Sequence, residues 1–585
     1  MNSPSHSDRQ SPAWHWLLLV LIGGVRFLNL GFIDLQAWDE ALYAVRSRGI
    51  LLFGGWVDQT SFAVDGLYSS LHPPLHVWLT AFSFQLFGPG EASARLVSAF
   101  AGAATIPILY AIGRKWMNSS VGLFAALLFG LNPFVTFFAR QGQFDTLLVF
   151  FLTVSVYCIL EAQRTHNWTW PLLSGAAIGC ALMTKLFVAM GIPLAYAIWA
   201  YGLRRVKIPR AQETLLGLIG ISVLVAVPWH LFMSFQHGDG NLLFFLHQSA
   251  LVDRTITGIE GNVKPLEVLY FVNQMFVLFP FGAAWFLFGL SELRFRTDDA
   301  GTFLAAWFLV FFVVFSFIRT KLSVYLLPLL IPASLIASKE LWKAVSGKTT
   351  PARQAGAFGA TLVFVLWSSS QTWRSAAKEV LSSLFSAHFP SLPSLLHSSV
   401  FGMIMLFIIG ATIVALDKGY LERFRTWIPA ILFFPLGILA GYQTVVADRF
   451  QYNDGATDLQ HFVRKYAIRQ IVVAGHERNP QLSWYFEGAD LGWRDDLHIR
   501  RIIPPQDSLR YTEWLDSEMN GELSSSLLVI EKDKFVRYKT VNPVLFVSPQ
   551  FRPVFESRRY SAFVRSPSDF LAETSFSELS IGASR

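Results

Sequence analysis

The sequence predicts a polytopic α-helical membrane protein with about thirteen transmembrane helices, followed by a soluble C-terminal α/β domain. Three observations lead there. Of 585 residues, 53% are hydrophobic and only 15% charged, with a mean hydropathy of +0.42, whereas a soluble protein of this size is about a quarter charged. Apolar stretches of roughly 17–25 residues, long enough to cross a bilayer, recur from residue 14 to about 443. Beyond that point charged residues become frequent and the apolar runs shorten to strand length. The 53 Phe and 19 Trp suit lipid contact and interfacial belts.

Expected spans cover about 14–31, 93–113, 119–137, 145–161, 170–184, 186–203, 214–235, 265–290, 302–318, 322–338, 355–370, 398–416 and 426–443. The first has no small-residue cleavage site behind it and reads as a retained span. Segment 73–88, "PPLHVWLTAFSFQLFG", is apolar but short. The basic loops at 114–115, 204–210, 292–296, 339–348 and 417–425 should all face the cytoplasm. If 73–88 crossed, the loops would conflict unless another span were dropped; as a juxtamembrane or re-entrant helix it lets all five agree. The N-terminus is then cytoplasmic, and the loop 32–92 and everything after 443 are outer. Residues 1–443 read as the membrane domain, with juxtamembrane helices in loop 32–92, and 444–585 as the outer-face domain.

In that second domain "QIVVAG" (470–475), "HIRRII" (498–503) and "SLLVIE" (526–531) read as strands. "TDLQHFVRKYA" (457–467) and "RYTEWLDSEM" (510–519) read as helices between them. The alternation predicts a partly parallel sheet. No phosphate loop, nucleophile motif or internal repeat stands out, and a lid or cap is its plain reading. The formal charge of +7 is spread through inter-helix loops, which argues against nucleic acid. Cys158 and Cys180 fall inside apolar runs and imply no disulfide framework.

Polar groups near lipid are costly and mark function or pairing. At the expected outer ends they are concentrated. The first loop carries Asp39, Glu40, Arg46, Arg48, Asp65, His72 and His76; "ARQGQFDTLL" carries Arg140 and Asp145; "LMTKLF" carries Lys185. "FSFIRTKLSVYLLPLLIP" carries Arg319, Lys321 and Tyr325, and loop 236–264 carries His237, His247, Asp253, Arg254 and Glu260. Taken singly, each has a bland reading. Lys185, Arg319 and Lys321 could cap helices or snorkel, Arg140 and Asp145 could pair at a helix end, and the prolines could set helix starts. The adjacent Asp39 and Glu40 repel each other and have no evident structural use.

Carboxylates and cations gathered on one face suit glycosyl transfer from a lipid-linked donor. A carboxylate takes the acceptor proton as the hydroxyl attacks an anomeric carbon. Cations hold the phosphate leaving group. Transporters instead place charge near the midplane on broken helices, and here the middles of the spans are nearly free of charge.

"WDEALYA" (38–44), "HPPLHVWL" (72–79), "ARQGQFDTLLVFF" (139–151), "LMTK" (182–185) and "TKLSVYLLPLLIP" (320–332) resemble the C-type (GT-C) glycosyltransferases, nearest to the lipid A aminoarabinose transferases and protein O-mannosyltransferases. The likeness covers spans one to about ten in order. It implies a GT-C fold and an inverting enzyme using a polyprenyl-phosphate sugar. It also implies Asp39, with Glu40 beside it, as the base or acceptor-orienting carboxylate and Asp145 as a second acidic position. Lys185, Lys321 and Tyr325 match positions expected to hold the donor phosphate, and His72 and Arg140 join them as candidates. His247 matches the family's loop histidine loosely and is the candidate metal ligand; a divalent metal is the one cofactor left open. The sequence departs from the aminoarabinose pattern at Leu71-His72-Pro73, where Glu-Lys-Pro is usual, at Leu42 in place of Arg, and at Leu186 in place of Gly. His72-Pro73-Pro74-Leu75 resembles the mannosyltransferase form.

The expected partners are a polyprenyl-phosphate-linked sugar, a lipid, polysaccharide or protein acceptor, and membrane lipids, with no nucleic acid. The expected location is a bacterial inner membrane with the site and C-terminal domain on the periplasmic face. A flippase without chemistry would need a polar path through the membrane. A glycan-binding scaffold would tolerate loss of Asp39.

Overall fold

The computed structural model describes residues 12–37, 39–64, 66, 70, 72–203, 210–238, 269–293, 298–365, 367–368, 428–442, 454–466, 468, 470–474, 480–486, 498–502, 527–531, 552–557 and 559–564. The expected span 398–416 and helix 510–519, with Asp65, His247, Asp253, Arg254 and Glu260, lie outside these residues. The chain forms two compact units. Residues 1–30, 70–88 and 92–450 make the first, and 31–69, 89–91 and 451–585 the second. Most of the loop 32–92 thus shares a unit with the C-terminal residues.

The first unit is helical. It begins with α1 (Ala13–Gly24); α2 (Asp39–Phe53) belongs to the second unit. There follow α3 (Leu75–Phe87), α4 (Glu91–Trp116), α5 (Ser119–Gly130), α6 (Pro133–Ala139), α7 (Phe144–Thr165), α8 (Thr169–Leu182), α9 (Gly191–Ala197) and α10 (Ala211–His237). The rest are α11 (Leu269–Leu278), α12 (Pro280–Ser291), α13 (Asp299–Phe317), α14 (Leu327–Val345), α15 (351–365) and α16 (Ile428–Tyr442). Among the described residues, five helices are long and apolar enough to cross a membrane unaided, or six if the bent pair α5–α6 is one span. Most other expected spans are present as shorter or interrupted apolar helices.

The interruptions have local causes. The expected span 119–137 bends by 67° between α5 and α6. There Asn132 accepts from Phe134 N and Val135 N, and Pro133 occupies the first helical position, a side-chain cap followed by a residue that has no N–H to satisfy. Pro280 likewise starts α12 after the single residue Phe279 that follows α11, dividing the expected span 265–290. Segment 73–88 forms α3, whose 13 residues are too few to span a bilayer.

Within this unit α14 is central and α10 peripheral. Of the most apolar windows, 89% is buried for Ser323–Val345 and 28% for Ala211–His237. The outward residues of α10, such as Leu216, Leu224 and Phe235, are apolar, as a lipid-facing helix requires. Small residues let helices approach. A Cβ on Gly175 of α8 would stand 2.6 Å from the Gly217 carbonyl of α10, so only glycine fits that crossing.

In the second unit, α17 (Ala456–Lys465) and α18 (Pro480–Phe486) accompany β1 (Gln470–Ala474), β2 (His498–Ile502), β3 (Leu527–Glu531), β4 (Arg552–Glu556) and β5 (Tyr560–Val564). The strand order is β2-β1-β3-β5-β4. β1 runs parallel to both β2 and β3, pairing Ile471 with Ile499 and with Leu527. β5 is antiparallel to β3 and β4. The sheet is therefore partly parallel, as the strand–helix alternation predicts. Pro553 and a register shift sit in the edge strand β4, where a missing N–H is tolerated.

Candidate functional site

In the first unit, three loops and one helix start converge on Lys185. Asp145 lies in the first turn of α7, the chain turns sharply after α8 at Thr184-Lys185, and Tyr325 lies in the short 3₁₀ turn Ser323–Leu326 before α14. Lys185 Nζ donates to Asp145 Oδ1 at 2.8 Å. The same ammonium sits 4.7 Å from the centroid of the Tyr325 ring and 5.0 Å from that of Phe144. His72 meets the other side of this group, edge-on to Phe144 at 6.0 Å. Leu75 N donates to the Met183 carbonyl at 3.1 Å, tying the "HPPL" segment to the turn that carries Lys185. The ion pair is largely sheltered, with side chains 17% and 10% exposed.

Lys321 is placed one step away. It is buried, and Nζ donates to the carbonyls of Phe315 at 3.0 Å and Ser316 at 2.6 Å. These are among the last carbonyls of α13, where a cation meets the negative end of the helix. Phe315 in turn stacks on Tyr325, with centroids 4.9 Å apart and planes 19° apart. Arg319 is exposed. Arg140 donates to the Leu28 carbonyl and, at 3.3 Å, to that of Arg26. Asp145 therefore pairs with Lys185, and the helix-end pair with Arg140 is replaced by backbone contacts. His76 faces Ser98 Oγ at 3.4 Å.

An apolar groove of about 340 Å³ runs beside this cluster, lined by residues that include Phe187, Met190, Leu194, Ile219, Phe311 and Phe315. Phe187 follows Lys185 by two positions, and Phe315 is the ring stacked on Tyr325. A polar head held at Lys185 could thus lay an apolar tail in the groove.

In the second unit the acidic doublet divides. Asp39 starts α2 and is exposed, while Glu40 is fully buried. Glu40 Oε2 accepts from Gln36 N at 2.8 Å, closing the first turn of the helix much as a capping carboxylate does. Arg46 is buried with both Nε and Nη2 donating to Gln59 Oε1, at 3.1 and 2.6 Å. Burial lowers its guanidinium to about 10. Tyr485 is a phenol pushed well above its usual value, first by burial and then by Asp34 and Glu91, so it serves as a neutral donor.

Among the described residues no three His, Cys, Asp or Glu side chains gather where a metal could be held.

The architecture matches a solved one. The crystal structure of ArnT from Cupriavidus metallidurans bound to undecaprenyl phosphate superposes with a TM-score of 0.64 at 20% identity, covering 95% of this chain and 99% of that one. The fold is that of the GT-C glycosyltransferases. The archaeal oligosaccharyltransferase AglB from Archaeoglobus fulgidus aligns at a TM-score of 0.50 and 14% identity, over 96% of this chain and 75% of that one. A family model described as dolichyl-phosphate-mannose-protein mannosyltransferase matches residues 71–231. Among curated relatives, the undecaprenyl phosphate-α-4-amino-4-deoxy-L-arabinose arabinosyl transferase 1 of Pseudomonas fluorescens is 28% identical over 350 residues. That alignment covers 57% of this chain and 60% of the relative. The Proteus mirabilis protein of the same description is 27% identical over 335 residues, 55% of this chain and 58% of its own. The chain thus spans less than two-thirds of the length of these curated relatives.

Several residues around this cluster escape sequence reasoning. Phe144 and Phe315 are two of 53 phenylalanines, and only the fold shows that they flank Lys185 and Tyr325. Arg26 donates to Gly130 O at 2.9 Å, at the α5–α6 break, and to Ile22 O at 2.8 Å in α1. Its signal was available: an arginine near the outer end of the first span.

Proposed function

We propose that this protein is an inverting membrane glycosyltransferase that moves a sugar from a polyprenyl phosphate to a glycolipid of the lipid A class on the outer face of a bacterial inner membrane. The observation that carries the reading is Lys185. Its ammonium is oriented by one carboxylate, flanked by two aromatic rings, and adjoins an apolar groove. That is the chemistry wanted by a phosphate on a long hydrocarbon chain. The relatives described as undecaprenyl-phosphate sugar transferases, and the solved ArnT with undecaprenyl phosphate bound, support the same donor class.

In this reading Lys185 holds the phosphate and Asp145 fixes the lysine. Asp39 takes the proton of the acceptor hydroxyl as its oxygen attacks the anomeric carbon. The carbon–oxygen bond to phosphate breaks, the phosphate keeps the electron pair, and Lys185 neutralises the charge that develops there. Attack opposite the leaving group inverts the anomeric centre. Tyr325 and His72 border the phosphate position. Lys321 and Arg140 act on backbone carbonyls around it, and Glu40 braces the helix that carries Asp39.

A second acceptor class has its own support. The match over 71–231 and the His72-Pro73-Pro74-Leu75 segment favour transfer to protein hydroxyls. The two readings share the donor and differ in the acceptor.

One experiment tests both. Lipid A, surface polysaccharide and outer-face proteins are compared by mass spectrometry in cells lacking the protein and in cells restored with wild type or Asp39→Asn. Loss of one defined sugar from lipid A, restored by wild type alone, is the expected result. Loss from proteins instead would select the second acceptor. Full restoration by Asp39→Asn at equal abundance would overturn the mechanism.

A further inference from the structure

The second unit contains a buried polar seam that involves no residue assigned to the chemistry above. It begins at Asp34, which is 4% exposed. The N-cap of α17 is Gly455, at φ +80° and with no side chain to cap the helix. Asp34 supplies that cap from a distant part of the chain. Its Oδ2 accepts from Ala456 N at 2.7 Å, and the Thr457 hydroxyl bonds its Oδ1. A carboxylate here satisfies donors that the helix itself leaves open.

The next anchor is backbone. Leu35 N donates to Tyr485 Oη at 3.1 Å, Gln481 Nε2 donates to Leu35 O at 2.6 Å, and Tyr485 Oη donates to Glu91 Oε1 at 3.0 Å. The third anchor is Arg48, also 4% exposed. Its Nη1 donates to Trp484 O at 2.8 Å and Nη2 to Ser483 O at 3.0 Å, while the guanidinium stacks on the Trp484 ring at 4.8 Å. Those carbonyls belong to the last turn of α18, the part of a helix whose carbonyls are open to side-chain donors. Segment 34–48 is therefore gripped at both ends by α17 and α18, and Asp39 lies between the grips.

We infer that the C-terminal α/β domain is a positioning frame for the acceptor-side carboxylate, with Asp34 and Arg48 as its positioning residues. The inference rests on the reading of Asp39 as the base, and it gives that domain a task within its own unit. Neither residue is a catalytic group; each acts by fixing where α2 starts. Placement matters because a shift of about 1 Å in a reacting group can cost about 10²-fold in rate.

The test uses full-length protein in lipid nanodiscs and cells at matched protein abundance. Three quantities are read: amide hydrogen exchange over residues 36–45, the Kd for undecaprenyl phosphate, and sugar transfer to the acceptor in cells. Arg48→Met should raise exchange over 36–45 by about tenfold. It should lower transfer by about 10–100-fold and change the Kd by less than about twofold. Arg48→Lys, which keeps the charge but reaches fewer carbonyls, should recover part of the transfer. Asp34→Asn should act in the same direction more weakly, because the amide oxygen still accepts from Ala456 N. It provides the test if Arg48→Met does not fold. Unchanged exchange in both Arg48→Met and Asp34→Asn, or raised exchange with unchanged transfer, would overturn the frame. Failure of wild type to bind undecaprenyl phosphate would instead strike the functional reading, and the exchange comparison would still decide whether the grips hold α2.

Discussion

The two ends of α7 keep their carboxylates in different company. Asp145 and Glu161 are 16 positions apart, about 24 Å along a helix at 1.5 Å per residue. Glu161 is closed by cations, Lys115 and Arg164 Nη2, the latter at 2.8 Å. The helix ends around α12, α14 and α15 repeat that pattern. Glu340 is bound by Arg353 at 2.5 Å and Lys343 at 3.3 Å, Glu292 by the same two residues, and Asp298 by Lys339. At the other end of α7, Lys185 is met by one carboxylate and two aromatic faces. A cation over a ring gains about 0.5–2 kcal/mol, whereas a charge-assisted hydrogen bond is worth about 1.5–3 kcal/mol. An incoming phosphate can displace rings from an ammonium far more easily than it can break a cage of opposite charges. Cations at the closed ends also meet rings, Lys115 over Tyr157 at 4.4 Å and Arg353 over Phe288 at 5.3 Å, so the difference lies in charge count: two cations close Glu161 and Glu340, whereas a single carboxylate meets Lys185.

The largest effect should come from the open end. Lys185→Ala is expected to lower transfer by about 10²–10³-fold, the usual cost of removing a group that stabilises developing charge, and to weaken undecaprenyl phosphate binding with little change in thermal stability. Retention of near-normal binding and transfer would erase the distinction between the two ends. The closed end should give the opposite profile. Glu340→Gln leaves Arg353 and Lys343 facing an amide in a buried position, a loss of about 1–3 kcal/mol, less than for a lone buried pair because Glu292 still meets both cations. Thermal unfolding in detergent should show the drop, and the folded fraction should transfer sugar at the wild-type rate.

The sequence shows more of the architecture than of the site. Span length and strand-length runs identify the helical part, the short helix in segment 73–88 and the mixed sheet, because hydropathy acts locally. The breaks at Asn132-Pro133 and Phe279-Pro280 were legible as cap and proline signals, yet hydropathy windows smooth over them. β4 and β5 escape because "RPVFE" and "YSAFV" are short and only partly apolar. In the site, Asp145, Lys185, Tyr325 and His72 do gather as their polar character near lipid suggests. What sequence cannot supply is the choice among cations. Lys321 and Arg140 look like Lys185 in composition, and only the fold shows them turned to the carbonyls of Phe315 and Leu28. The grouping of loop 31–69 with the C-terminal domain is likewise a matter of contacts such as Asp34 with Ala456, 422 positions apart.

Glu40 sharpens the comparison within the second unit. Its carboxylate answers a backbone N–H, that of Gln36. Glu40→Ala should therefore behave as loss of a helix cap, about 1 kcal/mol, with transfer reduced only a few-fold through the looser start of α2. Chemical unfolding and transfer measured on the same preparation would check this. A loss of transfer as deep as in Asp39→Asn, without loss of stability, would instead place Glu40 among the reacting groups.

The smallest effect concerns acid. The hydrogen bond from Lys343 lowers the Glu292 carboxyl below its usual 4.5; burial opposes this, and the charges of Lys343, Arg353 and Lys339 add to it. The unfolded chain then takes up the proton first as pH falls. The stabilisation from Glu292 is complete above the ordinary carboxylate value and is lost as pH drops through the lower, folded one. With the side chain 37% exposed, solvent screening keeps the contribution small. Thermal midpoints measured from about pH 6 down to pH 3 should fall less steeply for Glu292→Gln than for wild type. Parallel curves would mean that Glu292 contributes nothing to acid sensitivity and is a replaceable outer member of the cluster.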